Sequence, residues 1–275
     1  MSRFLRPAPS IFAEGVKGPD ETVPLASPGG KVYPATATDK GRIMLRPIIV
    51  FDLDGTLIDT APDLLDSLNH SLAAGELPAV DEIGFKRFVG QGGRVMIERA
   101  YAARQRALAA DEHDRLLALF LDHYTANIPG KSRPYPGVLQ AIARFEDVGY
   151  AVAVCTNKYE ANSLALIEAL GLTKHFAAIA GQDTFPFRKP DPRHLTETIR
   201  LAGGDPARAL MVGDSQTDID TAKAAGIPVV AVDFGYTDRH VREFEPSAII
   251  SHFDELTVDL AERLIAAGRP ARQKP

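Results

Sequence analysis

Asp52 and Asp54 stand one residue apart at the end of an apolar run, IIVFDLDGTLIDT over 48–60. Two carboxylates in that position repel each other and lose hydration, so the fold must bring something to offset them. Other polar groups close other apolar runs. Thr156-Asn157-Lys158 follows one, and Gly213-Asp214-Ser215 ends another, with Asp218 in the next turn. Phe187-Arg188-Lys189-Pro190 lies between them. The convergent set is four carboxylates, a hydroxyl, an amide and an ammonium. Paired hard carboxylates without His or Cys partners suit Mg²⁺. A divalent cation offsets the acidic repulsion, and Lys189 adds a second positive charge. Together they could hold a phosphate dianion beside an aspartate that would otherwise repel it.

Such a site requires that these groups meet on one rim. Short aliphatic runs at 47–51, 151–157, 177–181, 209–214, 228–234 and 247–251 alternate with helical stretches. Near-continuous aliphatic strands predict a parallel sheet covered on both faces, in a doubly wound α/β fold. The helices carry start and stop signals. Thr60-Ala61-Pro62 opens one that places Leu64, Leu65, Leu68 and Leu72 on one face and ends at Gly75. Others end at Gly171 and Gly226.

One spacing breaks the alternation. A βαβ unit needs about 30 residues, whereas the first strand ends near 52 and the next begins near 150, so roughly 60 residues are surplus. Their pattern is helical over 64–74, about 81–89, about 94–109 and 112–127, the last with Leu116, Leu119, Phe120 and Tyr124 on one face. This predicts a helical cap domain, 64–131, inserted after the first strand of a core formed by 46–63 and 132–270. An insertion there sits over the carboxyl ends of the strands, where ligands bind in open α/β sheets, and suggests a lid. Residues 1–45 are rich in Pro, Gly, Thr and Ala without a helical or strand period, and read as an extended or disordered arm.

Bulk properties fit a globular chain with a small-molecule substrate. The 275 residues are 45% hydrophobic and 24% charged, with a net charge of −5, which disfavours a nucleic-acid or anionic-membrane partner. No apolar run approaches the roughly 18–20 residues that span a membrane. The single cysteine, Cys155, permits no intrachain disulfide and fits a reducing cytoplasm. A monomer and a homodimer both stay open.

DLDGTLIDT, CTNK, RKPDP and VGDSQTD, in this order, resemble the four motifs of the haloacid dehalogenase superfamily of phosphatases. The resemblance covers about 46–260. More narrowly, PYPGV (134–138), TNK (156–158), GQDTFPFRKPDP (181–192) and the stretch from VGDS to FGYTD (212–238) resemble phosphoglycolate phosphatases. The resemblance implies a Rossmann-like core and an Mg²⁺-dependent phosphomonoester hydrolase acting on a small phosphorylated metabolite, with 2-phosphoglycolate the first candidate. A sugar phosphate or pyrophosphate is the alternative, as phosphatase or mutase substrate. A non-catalytic protein on the same scaffold is disfavoured by the intact motifs. Asp52 would attack phosphorus, and Asp54 would protonate the leaving alcohol and then activate water. The metal would be held by the Asp52 side chain, the Asp54 backbone carbonyl and Asp214, with Asp218 holding a metal-bound water. Thr156 and Asn157 would bond the phosphoryl oxygens, and Lys189 would neutralise charge. Gly55 would let the backbone turn beside the phosphate, and Thr56 would orient Asp54.

Several residues have plainer readings. Asp218 can cap the following helix as well as serve the metal. Asp59 and Asp63 read as helix-start residues, and Cys155 as a packed thiol. The seven histidines show no metal-ligand spacing. GQGGR (90–94) is either a link between two helices or a lid loop that offers N–H groups and Arg94 to an anion. Arg94 is the first candidate for a substrate carboxylate, with Lys86 and Arg87 in reserve.

Overall fold

The computed structural model describes residues 38–39, 42–43, 45–85, 92–237 and 239–268. Two short strands, β1 (Thr38–Asp39) and β2 (Arg42–Ile43), pair antiparallel inside the stretch expected to lack regular structure. The rest of the arm reading, for 1–37, lies outside the described residues.

The main sheet has six strands: β3 (Arg46–Phe51), β6 (Ala151–Cys155), β7 (Ala178–Ala180), β8 (Gly204–Gly213), β9 (Val229–Val232) and β10 (Ala248–Ile250). Their order is β10-β9-β8-β3-β6-β7, and every pairing is parallel. The six apolar runs thus form the sheet they predict. Along β3 the pleat sends Ile49 and Phe51 to one layer, Ile48 and Val50 to the other, and all four are fully buried. The first layer is covered by α5 (Val138–Asp147), α6 (Glu160–Ala169) and α9 (Val258–Ala267), the second by α7 (Pro192–Leu201) and α8 (Gln216–Ala224).

A second, separate apolar cluster lies in the surplus segment. Between β4 (Ile58–Asp59) and β5 (Arg133–Pro134), which pair antiparallel, run α1 (Ala61–Ala74), α2 (Glu82–Phe85), α3 (Gly93–Ala102) and α4 (Ala110–Ala126). Leu64, Leu68 and Leu72 of α1 meet Met96 and Ile97 of α3 and Leu116, Leu117 and Phe120 of α4. Each such side chain stabilises by about 1.5–3 kcal/mol when fully buried. Asp63, in the first turn of α1, does more than start a helix. Its carboxylate accepts from the backbone N–H groups of Lys131 and Ser132 and from the Ser132 hydroxyl, joining the two linkers of the segment.

One boundary differs from expectation. Helix α3 stops at Ala102, not near 109. Tyr101 O accepts from both Arg104 N and Arg106 N, Gln105 takes a positive φ of 52°, and the Arg104 guanidinium donates to Ala100 O and Pro78 O. Helix α1 ends at Gly75 as expected, but Gly75 is not the residue that turns into the left-handed region. Glu76 takes that conformation, at φ 54°, while a side chain at Gly75 would collide with the Tyr101 hydroxyl.

Candidate active site

Chain order places the site. From β3 the sheet grows through β6 to β7 on one side and through β8 to β10 on the other. The crevice at the carboxyl end of β3 is the topological switch point, where open α/β sheets bind ligands. Asp52 immediately follows β3 and its N–H donates to Val212 O of β8. Asp214 immediately follows β8, and Asp218 is the third residue of α8. Oxygens of Asp52, Asp214 and Asp218 all lie within 4.8 Å of one another, and all three side chains are buried.

Lys189 answers this charge. Its ammonium is 2.8 Å from Asp52 and 2.5 Å from Asp218. Burial alone would depress it, but Asp218 and Asp52 more than offset that and hold it above its ordinary range. The ammonium does not neutralise three acids. Burial pushes Asp52 up to about 6 despite Lys189, and burial followed by the repulsion of Asp218 and Asp52 raises Asp214. A buried all-oxygen cluster with an excess of acid over base fits a hard divalent cation, whose charge would return these groups to their ionised forms. Asp218 also forms a reciprocal cap with Ser215: Ser215 N and Oγ donate to Oδ2 at 3.1 and 2.6 Å.

Glycine is required beside Asp214. Gly55 has φ 83°, and a Cβ there would fall onto the Asp214 carboxylate. Thr56 differs from expectation. It is fully buried and donates to Asp214 at 3.2 Å, not to Asp54. The hydroxyl that orients Asp54 is Thr60, at 2.8 Å, since the turn over 53–58 folds the chain back and brings Thr60 over the carboxylate. Thr156 and Asn157 follow β6. Thr156 N donates to Ala180 O, Asn157 Nδ2 to Lys189 O at 3.1 Å, and Asn157 Oδ1 is buried without a partner among the described residues.

Three residues that the motif reading passed over complete the site. Lys158 Nζ lies 3.0 and 3.1 Å from the two Asp54 oxygens and 4.1 Å from the Tyr124 ring centre, reaching from the core to α4. Burial works against its charge, but Asp54 and then Tyr124 hold it above its ordinary range. His194 accepts from Lys189 N at Nδ1 and so donates from Nε2 to Gly181 O, which fixes the loop that carries Lys189. Its imidazole is pushed down to about 4, first by burial and then by the Lys189 charge. Tyr236 donates to Asp59 at 2.5 Å and accepts from Thr60 N and Ala61 N, pinning the linker into α1. Lys158 was visible inside Thr156-Asn157-Lys158. Tyr236 lay within the quoted FGYTD stretch, but its partners Asp59, Thr60 and Ala61 are more than 170 residues away; His194 lies only five residues from Lys189, and its role follows from the fold of the loop between them.

Asp52, Asp54, Thr156, Asn157, Lys158 and Lys189 line one cavity with a free volume of about 50 Å³. The helical segment closes it with Gly92, Gly93, Met96, Phe120 and Tyr124. Arg94 is not among the lining residues. Its guanidinium pairs with Asp114 at 2.7 Å on the outer surface, because the helical turn after Gly93 carries it away from the opening. Lys86 and Arg87 lie outside the described residues.

The model of the haloacid dehalogenase-like hydrolase family matches residues 49–232. The chain belongs to the haloacid dehalogenase-like hydrolases. It is 87% identical over 224 residues to a phosphoglycolate phosphatase of Mesorhizobium japonicum, covering 82% of this chain and 99% of that one. It is 49% identical to a phosphoglycolate phosphatase of Agrobacterium fabrum, covering 82% and 97%. Among solved structures, a predicted phosphoglycolate phosphatase from Haemophilus somnus superposes with a TM-score of 0.71 at 31% identity, covering 78% of this chain and 98% of that one. CbbY from Rhodobacter sphaeroides, in complex with phosphate, superposes with a TM-score of 0.68 at 25% identity, covering 79% and 100%. No helix among the described residues of this hydrolase is long and apolar enough to cross a membrane.

Proposed function

We propose that this hydrolase converts 2-phosphoglycolate to glycolate and phosphate through an aspartyl-phosphate. The 87% identity to a phosphoglycolate phosphatase over nearly its whole length carries the choice of substrate. A cavity of about 50 Å³ supports a small metabolite over a large one, as a single water needs roughly 10–15 Å³ by this measure.

The Asp52 carboxylate attacks phosphorus while the ester P–O bond breaks, and Asp54 delivers a proton to the departing glycolate oxygen. Water then attacks the phosphorus of the acyl phosphate. Asp54 takes its proton, and phosphate leaves with Asp52 restored. Lys189, 2.8 Å from Asp52, offsets the charge gathering on the phosphoryl group. Thr156 and Asn157 position the phosphoryl oxygens, and the unpartnered Asn157 Oδ1 remains for a donor. Mg²⁺, held by Asp52, the Asp54 carbonyl and Asp214 with Asp218 at its side, would supply positive charge to those oxygens.

In this reading 64–131, which carries α2–α4 and all but the first turn of α1, caps the cavity, 46–63 and 132–270 form the catalytic core, and 1–45 is an accessory arm. The enzyme works in the cytoplasm, where its single buried thiol meets no oxidising partner.

The test is turnover of a panel of phosphomonoesters by protein stripped of metal and then reloaded. We expect no turnover in chelator, recovery with Mg²⁺, and kcat/KM highest for 2-phosphoglycolate. A preference for sugar phosphates or pyrophosphate overturns the substrate, and full turnover by metal-free protein overturns the mechanism.

A further inference from the structure

The two lysines of the cavity hold different ends of it. Lys189 is committed to Asp52 and Asp218, at the phosphoryl end. Lys158 sits on Asp54, the residue that meets the leaving oxygen, and therefore beside whatever group the leaving alcohol carries. Among the described residues that line the cavity these are the only cations. A substrate with a carboxylate next to its ester CH₂ brings one negative charge beyond its phosphate. Without a cation at the leaving-group end that charge would face the Asp54 carboxylate.

A second observation points to the same place. Tyr124 lines the cavity and is 3% exposed as a residue, and its hydroxyl finds no acceptor among the described residues, since the neighbouring Lys158 ammonium can only donate to it. A buried phenol without an acceptor is rare in folded proteins and marks a position awaiting one. Its ring lies under the Lys158 ammonium, so the cation and the free O–H are neighbours. The amino end of α3 opens on the same cavity at Gly92 and Gly93, with no side chain capping its N–H groups. The close seat of that helix end needs glycine, since a Cβ at Gly93 would come within 2.9 Å of the Phe120 ring.

We infer that Lys158, the Tyr124 hydroxyl and the amino end of α3 form a carboxylate subsite that selects the substrate by its acid group. The inference rests on the phosphoglycolate reading and names the residues that would enforce it. The incoming carboxylate takes a share of the ammonium from Asp54 and accepts from Tyr124. Because Tyr124 and α3 belong to the helical segment while Lys158 belongs to the core, the carboxylate also ties the two together over the reacting phosphate.

The experiment compares 2-phosphoglycolate with 2-hydroxyethyl phosphate, which has the same chain length and a neutral hydroxymethyl group in place of the carboxylate. The quantity read is the ratio of the two kcat/KM values. Any general damage to folding or to Asp54 acts on both substrates and cancels. In Lys158→Met we expect this ratio to fall by roughly 10- to 100-fold, the scale of one charge-assisted hydrogen bond. In Tyr124→Phe we expect a smaller fall, about 3- to 10-fold. Calorimetry on the Mg²⁺-loaded protein gives a readout without turnover. The parent should bind 3-phosphonopropionate more tightly than propylphosphonate, and Lys158→Met should lose that difference. If the parent discriminates and Lys158→Met keeps the ratio within about twofold, the carboxylate is read elsewhere and the subsite is wrong while the activity stands. A parent that does not discriminate overturns the phosphoglycolate reading, and the subsite with it. Should Lys158→Met fail to fold, Tyr124→Phe decides by the same ratio, and an unchanged ratio overturns the subsite.

Discussion

At the strand ends, Asp52, Asp214, Asp218 and Lys189 are each less than a tenth exposed. Their partners come from separate elements, so each group answers to charges brought from elsewhere in the chain. In α1–α4 the helices pack on an apolar cluster, and charged pairs lie at the surface, as in Arg94–Asp114 between two helices and Arg115–Glu112 within one. The difference is one of dielectric. A charge on the rim has lost its water and depends on fixed partners, while a charge on the outer face of the helices keeps its water whether or not it is paired. Chemistry is therefore built into the sheet rim. The helical segment contributes where it turns inward, at residues such as Gly92, Gly93, Met96, Phe120 and Tyr124.

Three measurements would break or sharpen this contrast. The largest effect belongs to Asp52→Asn, which preserves shape and removes the nucleophile. With the covalent step gone, kcat should fall by at least about 10³-fold while the thermal midpoint stays at or above that of the parent in metal-free protein. Retention of more than about a percent of turnover would mean that the rim does not act through Asp52.

The second effect is on stability and depends on pH. His194 has a folded-state pKa of about 4, against an ordinary 6.5. Between these values the unfolded chain binds a proton that the folded protein refuses. The stability this contributes is fully present above pH 6.5 and is lost as pH falls toward 4, to a limit of about 3 kcal/mol. His194→Gln removes the titration, so urea midpoints of parent and variant should converge on going from pH 7.5 to 4.5. A difference that is the same at both pH values would show that the imidazole titrates normally.

The smallest effect is expected from Arg94→Ala. Its pair with Asp114 is exposed on both sides, 45% and 67%. Such pairs contribute at most about 1 kcal/mol, and kcat/KM for 2-phosphoglycolate should change by less than about twofold. A loss of tenfold or more, confined to carboxylate-bearing substrates, would put Arg94 at the cavity and displace Lys158.

Much of the fold was legible because its signals are local. The runs at 47–51 and 209–214 are aliphatic at nearly every position, as strands covered on both faces must be. The excess spacing between the first two strands announced the helices, and their periodicity assigned Leu64, Leu68 and Leu72 to the interior they occupy. The end of α3 was not legible, because it depends on Arg104 reaching Pro78 O, 26 residues away. The place of Arg94, paired with Asp114 and not lining the cavity, was not legible for a related reason. A position near a helix start is visible in the sequence, but the face it presents depends on how the helix is seated.

The sequence by itself determined which chemical groups end each strand, because the covalent order Asp52-Leu53-Asp54, Thr156-Asn157-Lys158 and Gly213-Asp214 is independent of folding. The tertiary structure decided which of those groups meet. Thr56 and Thr60 are chemically alike and both near Asp54 in sequence, yet Thr56 serves Asp214 across 158 residues and Thr60 serves Asp54. Lys158 reads only as a polar group after a strand until β6 is set beside β3, which brings its ammonium onto an aspartate 104 residues away. A hydrogen bond or ion pair acts over about 3 Å, so its partner is chosen by strand order and helix packing, which no local pattern of residues records.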